Sequence, residues 1–201
     1  MARRITTINI ANLKDIPKPC SLCSYWGSPF DEKKIFCDNQ VLKSRWFMRT
    51  TRAWGECGKM VYVGKQAVAY TRFAPHSYFP RVKEYAAGPS SDDAIFIACL
   101  FVVPSYRGKG YGKDLLREVV KSFYKSGFKA VETFGNRTAE ARPSAPFEFY
   151  LKNGFRVVHD DKMFPLMRLD FKSIIAWQDG LEMLLGGIKF PLPGREISVP
   201  Y

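Results

Sequence analysis

Three cationic side chains, Arg107, Lys109 and Lys113, alternate with three glycines, Gly108, Gly110 and Gly112, over seven consecutive residues. The residues before them, 95–103, form an apolar run that reads as a buried strand. Those after them, 114–123, put Leu115, Leu116, Val119, Val120 and Phe123 on one face of a helix. A strand, a glycine-rich turn and a helix start together make an anion site. The first N–H groups of the helix have no internal partner, and the dipole there is positive. Glycine lets the backbone approach the anion and adopt positive φ. The chemistry implied is capture of the pyrophosphate of a nucleotide-like cofactor. Spacing narrows the class. A triphosphate loop needs a glycine five residues before its Gly-Lys and Ser or Thr after it; here Arg107 and Asp114 stand in those places. The dinucleotide pattern G-x-G-x-x-G fails because the three glycines alternate strictly. What fits is R-x-x-G-x-G at Arg107, Gly110 and Gly112, following L-x-V-x-P at Leu100, Val102 and Pro104.

A second element lies downstream. Phe149-Tyr150-Leu151-Lys152-Asn153-Gly154-Phe155 follows Pro146, a residue suited to a first helical position. A plausible strand, 129–134, separates the two. The R-x-x-G-x-G turn and this F-Y-x-x-x-G-F helix, in the order strand, loop, helix, strand, helix, strand across 95–171, resemble the acetyl-CoA motifs of the GNAT superfamily of N-acetyltransferases. The resemblance is good over the middle and later half and loose over the N-terminal third.

The resemblance implies an α/β fold, a mixed, mostly antiparallel central sheet flanked by helices and splayed at the acetyl-CoA site. It implies acetyl-CoA as cosubstrate and direct attack of an acceptor amine in a ternary complex. The cofactor would lie along Leu100, Phe101 and Val102, with an oxyanion donor among the backbone N–H groups around Phe101 or Val102. Its phosphates would meet Arg107, Gly108, Lys109, Gly110, Tyr111, Gly112 and Lys113. Tyr150 would contact the sulfur and give the departing thiolate a proton.

The base that strips the acceptor is harder to place. Many superfamily members carry a carboxylate on the strand before the turn, and 95–103 contains none. Asp92 and Asp93 precede that strand, His76 lies in a loop, and Glu132 is on the next strand. Glu132 is the candidate base, with a paired structural charge or a water chain as the other readings.

The chain of 201 residues is long enough for one domain with a full core. Its 46% hydrophobic and 15% aromatic content exclude a disordered polymer. No apolar run reaches the roughly eighteen residues of a membrane span. The start, Met-Ala-Arg-Arg-Ile, lacks an apolar signal core, so a cytoplasmic location is expected. The formal charge of +12 suits phosphate-bearing partners. The acceptor is not readable from the sequence; basic residues are scattered, so an RNA-bound acceptor such as aminoacyl-tRNA, or a protein one, is a secondary reading, as is a non-catalytic CoA sensor. Five cysteines include Cys20 and Cys23 as C-x-x-C. Cys37 and Cys57 lack the close spacing of a second zinc pair, and no metal is expected.

The remaining elements complete one domain, 1–171, and an extension, 172–201, that packs on it or joins a dimer; monomer and homodimer both remain open. A strand is expected at 5–10, a short helix at 12–16 and a helix at 38–54 with Val41, Leu42, Trp46 and Phe47 in one stripe. Strands 59–63 and 66–72 flank a Gly64-Lys65 turn. The long aromatic connection 74–91 is either an acceptor-side lid or a packed cover on the sheet.

Overall fold

The structure is a computed structural model that describes residues 3–27, 39–138 and 144–176. Seven strands form a single sheet: β1 (Arg3–Thr7), β2 (Gly58–Val63), β3 (Gln66–Ala74), β4 (Ala94–Val102), β5 (Ala130–Phe134), β6 (Arg156–His159) and β7 (Leu166–Asp170). Their order is β1-β2-β3-β4-β5-β7-β6. Every neighbouring pair is antiparallel except β4 and β5. That one parallel pair needs a crossover, supplied by α2 (Tyr111–Phe123). The other helices are α1 (Asn39–Ala53), α3 (Phe147–Leu151) and α4 (Phe171–Ala176).

The central strands are apolar and buried because both faces of the sheet are covered. On one face, Leu115, Leu116, Val119, Val120 and Phe123 of α2 pack with Val61, Phe73, Ile95 and Ile97, as the helical spacing predicts. Tyr150 and Phe155 close the end of this layer. On the other face lie α1, the short turns Cys20–Leu22 and Tyr25–Gly27, and the connection 74–91. The edge strands β1 and β6 carry Arg3, Arg4 and Arg156, charges that discourage further strand pairing.

Two irregularities shape the middle of the sheet. β4 pairs with β5 only at Ala94, Ile95 and Phe96, opposite Ala130, Val131 and Glu132. Beyond that point the strands part, and Thr133 Oγ1 donates to Ile97 O at 2.8 Å in place of a backbone bond. The register of β3 against β4 steps from Phe73↔Ile97 to Arg72↔Cys99, so Ala98 is an extra residue, a bulge. Consequently Ala98 and Cys99 both belong to the α1-side cluster, while Ile97 and Leu100 belong to the α2 side. The parting of β4 from β5 is the expected splay.

Several expectations shift in detail. The first strand is Arg3–Thr7 and the short helix a 3-10 turn, Leu13–Asp15. The stripe of α1 is rotated. Val41 is exposed and Leu42 half-buried, whereas Lys43, Trp46, Phe47 and Thr50 are buried. Sequence spacing alone could not favour a lysine over a valine. The difference is that Lys43 finds polar partners inside. Pro146 precedes α3 as its cap instead of occupying its first turn. The connection 74–91 is packed onto the sheet: Phe79, Val82, Ala87 and Ser90 are buried. Tyr85 stacks on Phe134 at 4.3 Å and on Trp26 at 5.3 Å. Residues 177–201 of the expected extension 172–201, and residue 38 of the expected helix 38–54, lie outside the described residues.

Candidate active site

The glycine turn stands at the mouth of the gap between β4 and β5. After β4 the chain makes a 3-10 turn, Pro104–Tyr106, then passes Arg107 into α2. Gly108 has φ +76° and Gly110 φ +85°, left-handed values that a side chain would strain. Gly110 caps α2, and the first helical bond runs from Asp114 N–H to Gly110 O at 3.0 Å. The N–H groups of Tyr111, Gly112 and Lys113 precede that bond and are available to an anion. Gly112 serves a different need: a Cβ there would come within 3.1 Å of the Phe149 ring on α3. The two halves of the sequence signature therefore touch, and this glycine permits it.

Charge around the turn is arranged for an anion. Arg107 and Lys109 are exposed, and Lys113 is half-buried. Lys109 lies over the Tyr106 ring, 5.1 Å from its centre. The one acid in the first turn, Asp114, is neutralised by Arg3 at 2.7 Å and Arg117 at 3.4 Å. Arg107 Nε donates to Val102 O at 3.2 Å. Val103 N–H donates across to Val68 O on β3. Strand alternation then turns the amides of Val102 and Leu100 toward the open gap and that of Phe101 toward β3. Leu100 and Val102 are thus the β4 residues whose amides an added strand-like ligand can use.

Tyr150 is completely buried at the inner end of the gap. Its hydroxyl lies 3.4 Å from Thr133 Oγ1, the group that bridges the splay. Burial pushes the phenol up to about 12, against hydrogen bonds with Thr133, Ser144 and the Ala145 backbone. It keeps its proton throughout the neutral range.

The acidic and imidazole candidates are all engaged elsewhere. Each carboxylate oxygen of Glu132 accepts two bonds: Oε2 from Ser90 Oγ (2.7 Å) and Ser91 N–H (2.8 Å), Oε1 from Ser91 Oγ (2.9 Å) and Arg168 Nη1 (2.8 Å). Four donors occupy its lone-pair sites, the arrangement of a structural anchor that ties 90–91 to the sheet. Asp93 is held by Arg168 and Lys129 and depressed below the usual carboxylate range, chiefly by the Arg168 hydrogen bond. His76 Nε2 is 2.8 Å from Asp92 Oδ1, and His159 Nδ1 is 3.1 Å from Ala87 O.

A polar cluster not foreseen from the sequence lies on the α1 side of the same bulge. Arg72, on β3 opposite Cys99, has no solvent exposure. Its guanidinium lies over Trp46 at 4.7 Å and Phe79 at 5.6 Å, and Nη2 reaches Cys99 Sγ at 3.9 Å. Nε and Nη1 have no partner. Lys43, 2% exposed, donates to Cys20 O and, at 3.2 Å, to the Tyr70 hydroxyl. Burial first, and then Arg72, push its amine down to about 8. Burial likewise raises Tyr70, and it raises Cys20 to about 12. Ring contacts return about 2 kcal/mol or more for a desolvated cation. The effective penalty for burying an ion is several kcal/mol. Two buried cations with no carboxylate beside them among the described residues are therefore a favourable setting for an anion. The available signal was a lone arginine inside the apolar run 67–74 and a lysine three residues before Trp46.

Cys20 feels Cys99 and Cys23, whereas Cys57 bonds with Thr51. Among the described residues no group of three His, Cys, Asp or Glu is arranged to hold a metal, and Cys37 lies outside them.

Residues 58–157, which hold the gap, the glycine turn and α3, match the family model for an acetyltransferase (GNAT) domain. The chain belongs to the GNAT acetyltransferases. No curated protein matches it by sequence. Among solved structures it is similar to the PaiA N-acetyltransferase of Thermoplasma acidophilum in complex with coenzyme A. The two are 18% identical with a TM-score of 0.57, over 85% of this chain and 99% of that one. An N-acetyltransferase of Staphylococcus aureus Mu50 is 16% identical, with a TM-score of 0.55 over 85% and 99%. A GNAT-family acetyltransferase from Desulfovibrio desulfuricans is 13% identical, with a TM-score of 0.56 over the same shares. At these identities the likeness is one of fold. No helix among the described residues is long and apolar enough to cross a membrane.

Proposed function

We propose that the protein is an N-acetyltransferase that moves the acetyl group of acetyl-CoA to an amine by direct attack in a ternary complex. The observation that carries this reading is the divergence of β4 from β5 after Phe96 and Glu132, with the Arg107–Lys113 turn at its mouth and the Tyr150 hydroxyl at its inner end. Coenzyme A bound in the PaiA structure supports it.

The pyrophosphate binds the N–H groups of Tyr111, Gly112 and Lys113, with Arg107 and Lys109 beside it. The pantetheine arm takes the place along β4 that β5 has left, pairing with the amides of Leu100 and Val102. The amine nitrogen bonds to the carbonyl carbon, and the oxyanion is met by the strand amides. When the carbon–sulfur bond breaks, the Tyr150 hydroxyl donates to the thiolate. A phenol near 12 is a weak acid beside an ordinary thiol, so this step relies on the sulfur being desolvated in the same buried pocket. Glu132 takes no part in proton removal. The attacking amine is the neutral fraction, and its proton leaves through water.

The test is release of free thiol from acetyl-CoA across an amine panel, with the acetylated product identified by mass. Product formed in step with thiol supports transfer. Tight coenzyme A binding with no thiol release for any amine would instead make the protein a CoA-binding sensor.

A further inference from the structure

Resting on that reading, we infer that the acetyl acceptor carries a carboxylate, as an amino acid does, and that Arg72 and Lys43 bind it.

Arg72 is a permanent cation. It is fully buried, and no oxygen accepts from its guanidinium among the described residues. Lys43 approaches from α1, and its partners are a carbonyl and a phenol. The titratable groups facing the pair are Tyr70 on β3, Cys99 on β4, and Cys20 and Cys23 in the N-terminal turns. Among the described residues none is a carboxylate. Each cation disfavours the other, since Arg72 lowers Lys43. A buried pair of this kind suits an anion with oxygen acceptors.

Location identifies the anion as part of the acceptor. The phosphates of the donor are accounted for on the opposite face, at the glycine turn. Arg72 pairs in register with Cys99, at the bulge of β4. Arg72 Nη2 meets the Cys99 sulfur at 3.9 Å, so the cations adjoin β4, the strand that borders the gap. A cavity of about 210 Å³ between the N-terminal turns and α1 has Lys43 as the buried residue in its wall, beside Lys14 and the apolar Ile10, Leu13 and Met48.

The test uses the full-length protein saturated with coenzyme A. The N-acetylated forms of the twenty amino acids, which mimic the product, are titrated calorimetrically beside their amides. The expected result is at least one acid that binds roughly 10- to 100-fold more tightly than its amide, with the preference lost in Arg72→Met. The matching free amino acid should then release thiol from acetyl-CoA, and its amide should do so at least about tenfold more slowly. If Arg72→Met does not fold, Arg72→Lys and the wild-type acid-to-amide ratio decide the matter. Equal affinity for acids and amides, or thiol release driven as well by simple amines, overturns the inference while leaving acetyl transfer intact. So does acetate that stabilises the protein without competing with the acids, since the anion would then be a resident counter-ion. Failure of coenzyme A itself to bind is a different result and removes the underlying reading.

Discussion

On the α2 side of the sheet the cations Arg107 and Lys109 stand in solvent around open backbone amides. On the α1 side Arg72 and Lys43 are sealed among Trp46, Phe79 and Tyr70. Both arrangements suit an anion, but in different ways. The exposed turn presents N–H groups that water can also satisfy, so it tolerates being empty and attracts a large polyanion through charge and shape. The buried pair keeps Arg72 wholly out of bulk water. Its stability depends on what occupies it, which makes it selective for a small group that fits. A flexible donor with several phosphates and a small acceptor are matched to these two kinds of site.

The contrast can be broken at either face. The largest effect is expected for Tyr150→Phe. Loss of the proton donor should lower kcat by at least about 100-fold while acetyl-CoA affinity holds within a factor of two. Unchanged turnover would remove Tyr150 from the chemistry. Next comes Glu132→Gln, which takes from Arg168 the fully buried one of its three carboxylate partners and from the Ser90–Ser91 turn its charged acceptor. Breaking a buried pair costs about 3–5 kcal/mol, so the melting temperature should fall by roughly 6–20 °C. The pH profile of turnover by the folded enzyme should keep its shape. A lost acidic limb in that profile would restore Glu132 as the base.

On the donor side, Gly110→Ala forces a Cβ into a left-handed conformation that costs about 1–2 kcal/mol. Acetyl-CoA should bind roughly tenfold more weakly, measured by calorimetry, with affinity for N-acetylated acids unaltered. Equal affinity for acetyl-CoA would move the phosphates away from this turn.

The smallest effect concerns Lys43. Its folded-state amine is lowered from 10.5 to about 8, so between those values the unfolded chain binds more protons than the native protein. The cost of a charged Lys43 is fully present below about pH 8 and is relieved as pH rises toward 10.5. The stability advantage of Lys43→Met over wild type should therefore shrink across that window. Taking the difference sets aside the opposing titration of Cys20 and Tyr70, which both proteins share. A bound carboxylic acid should flatten the slope, and a pH-independent difference would contradict the lowered amine.

How much of this was legible depended on whether the chain delivers a site in one piece. The donor side is contiguous. Strand, turn and helix follow one another from Ala94 to Phe123, and spacing alone distinguishes this turn from other phosphate loops. Phe149 and Tyr150 follow within one more crossover. The acceptor side is assembled from α1, β3, β4 and the turn at Cys20, separated by tens of residues, and its cations look ordinary in sequence. Lys43 resembles a solvated helix residue, and Arg72 an edge charge on a strand. Only the fold shows that β3 is central and that the buried face of α1 runs through Lys43 and not Val41. Glu132 failed to declare its role for the same reason. A carboxylate on a strand is a base or an anchor according to its partners, and Ser90, Ser91 and Arg168 come from elsewhere in the chain. The bulge at Ala98, which sends Cys99 to the α1 side, left no mark in an apolar run.

The most direct test of the whole account is a crystal structure of the protein with coenzyme A. The account predicts pyrophosphate oxygens within about 3.2 Å of the amide nitrogens of Tyr111, Gly112 and Lys113, and pantetheine amides paired with Leu100 and Val102 between β4 and β5. Coenzyme A bound outside that gap, or with its phosphates on the Lys43 and Arg72 side of the sheet, would contradict it.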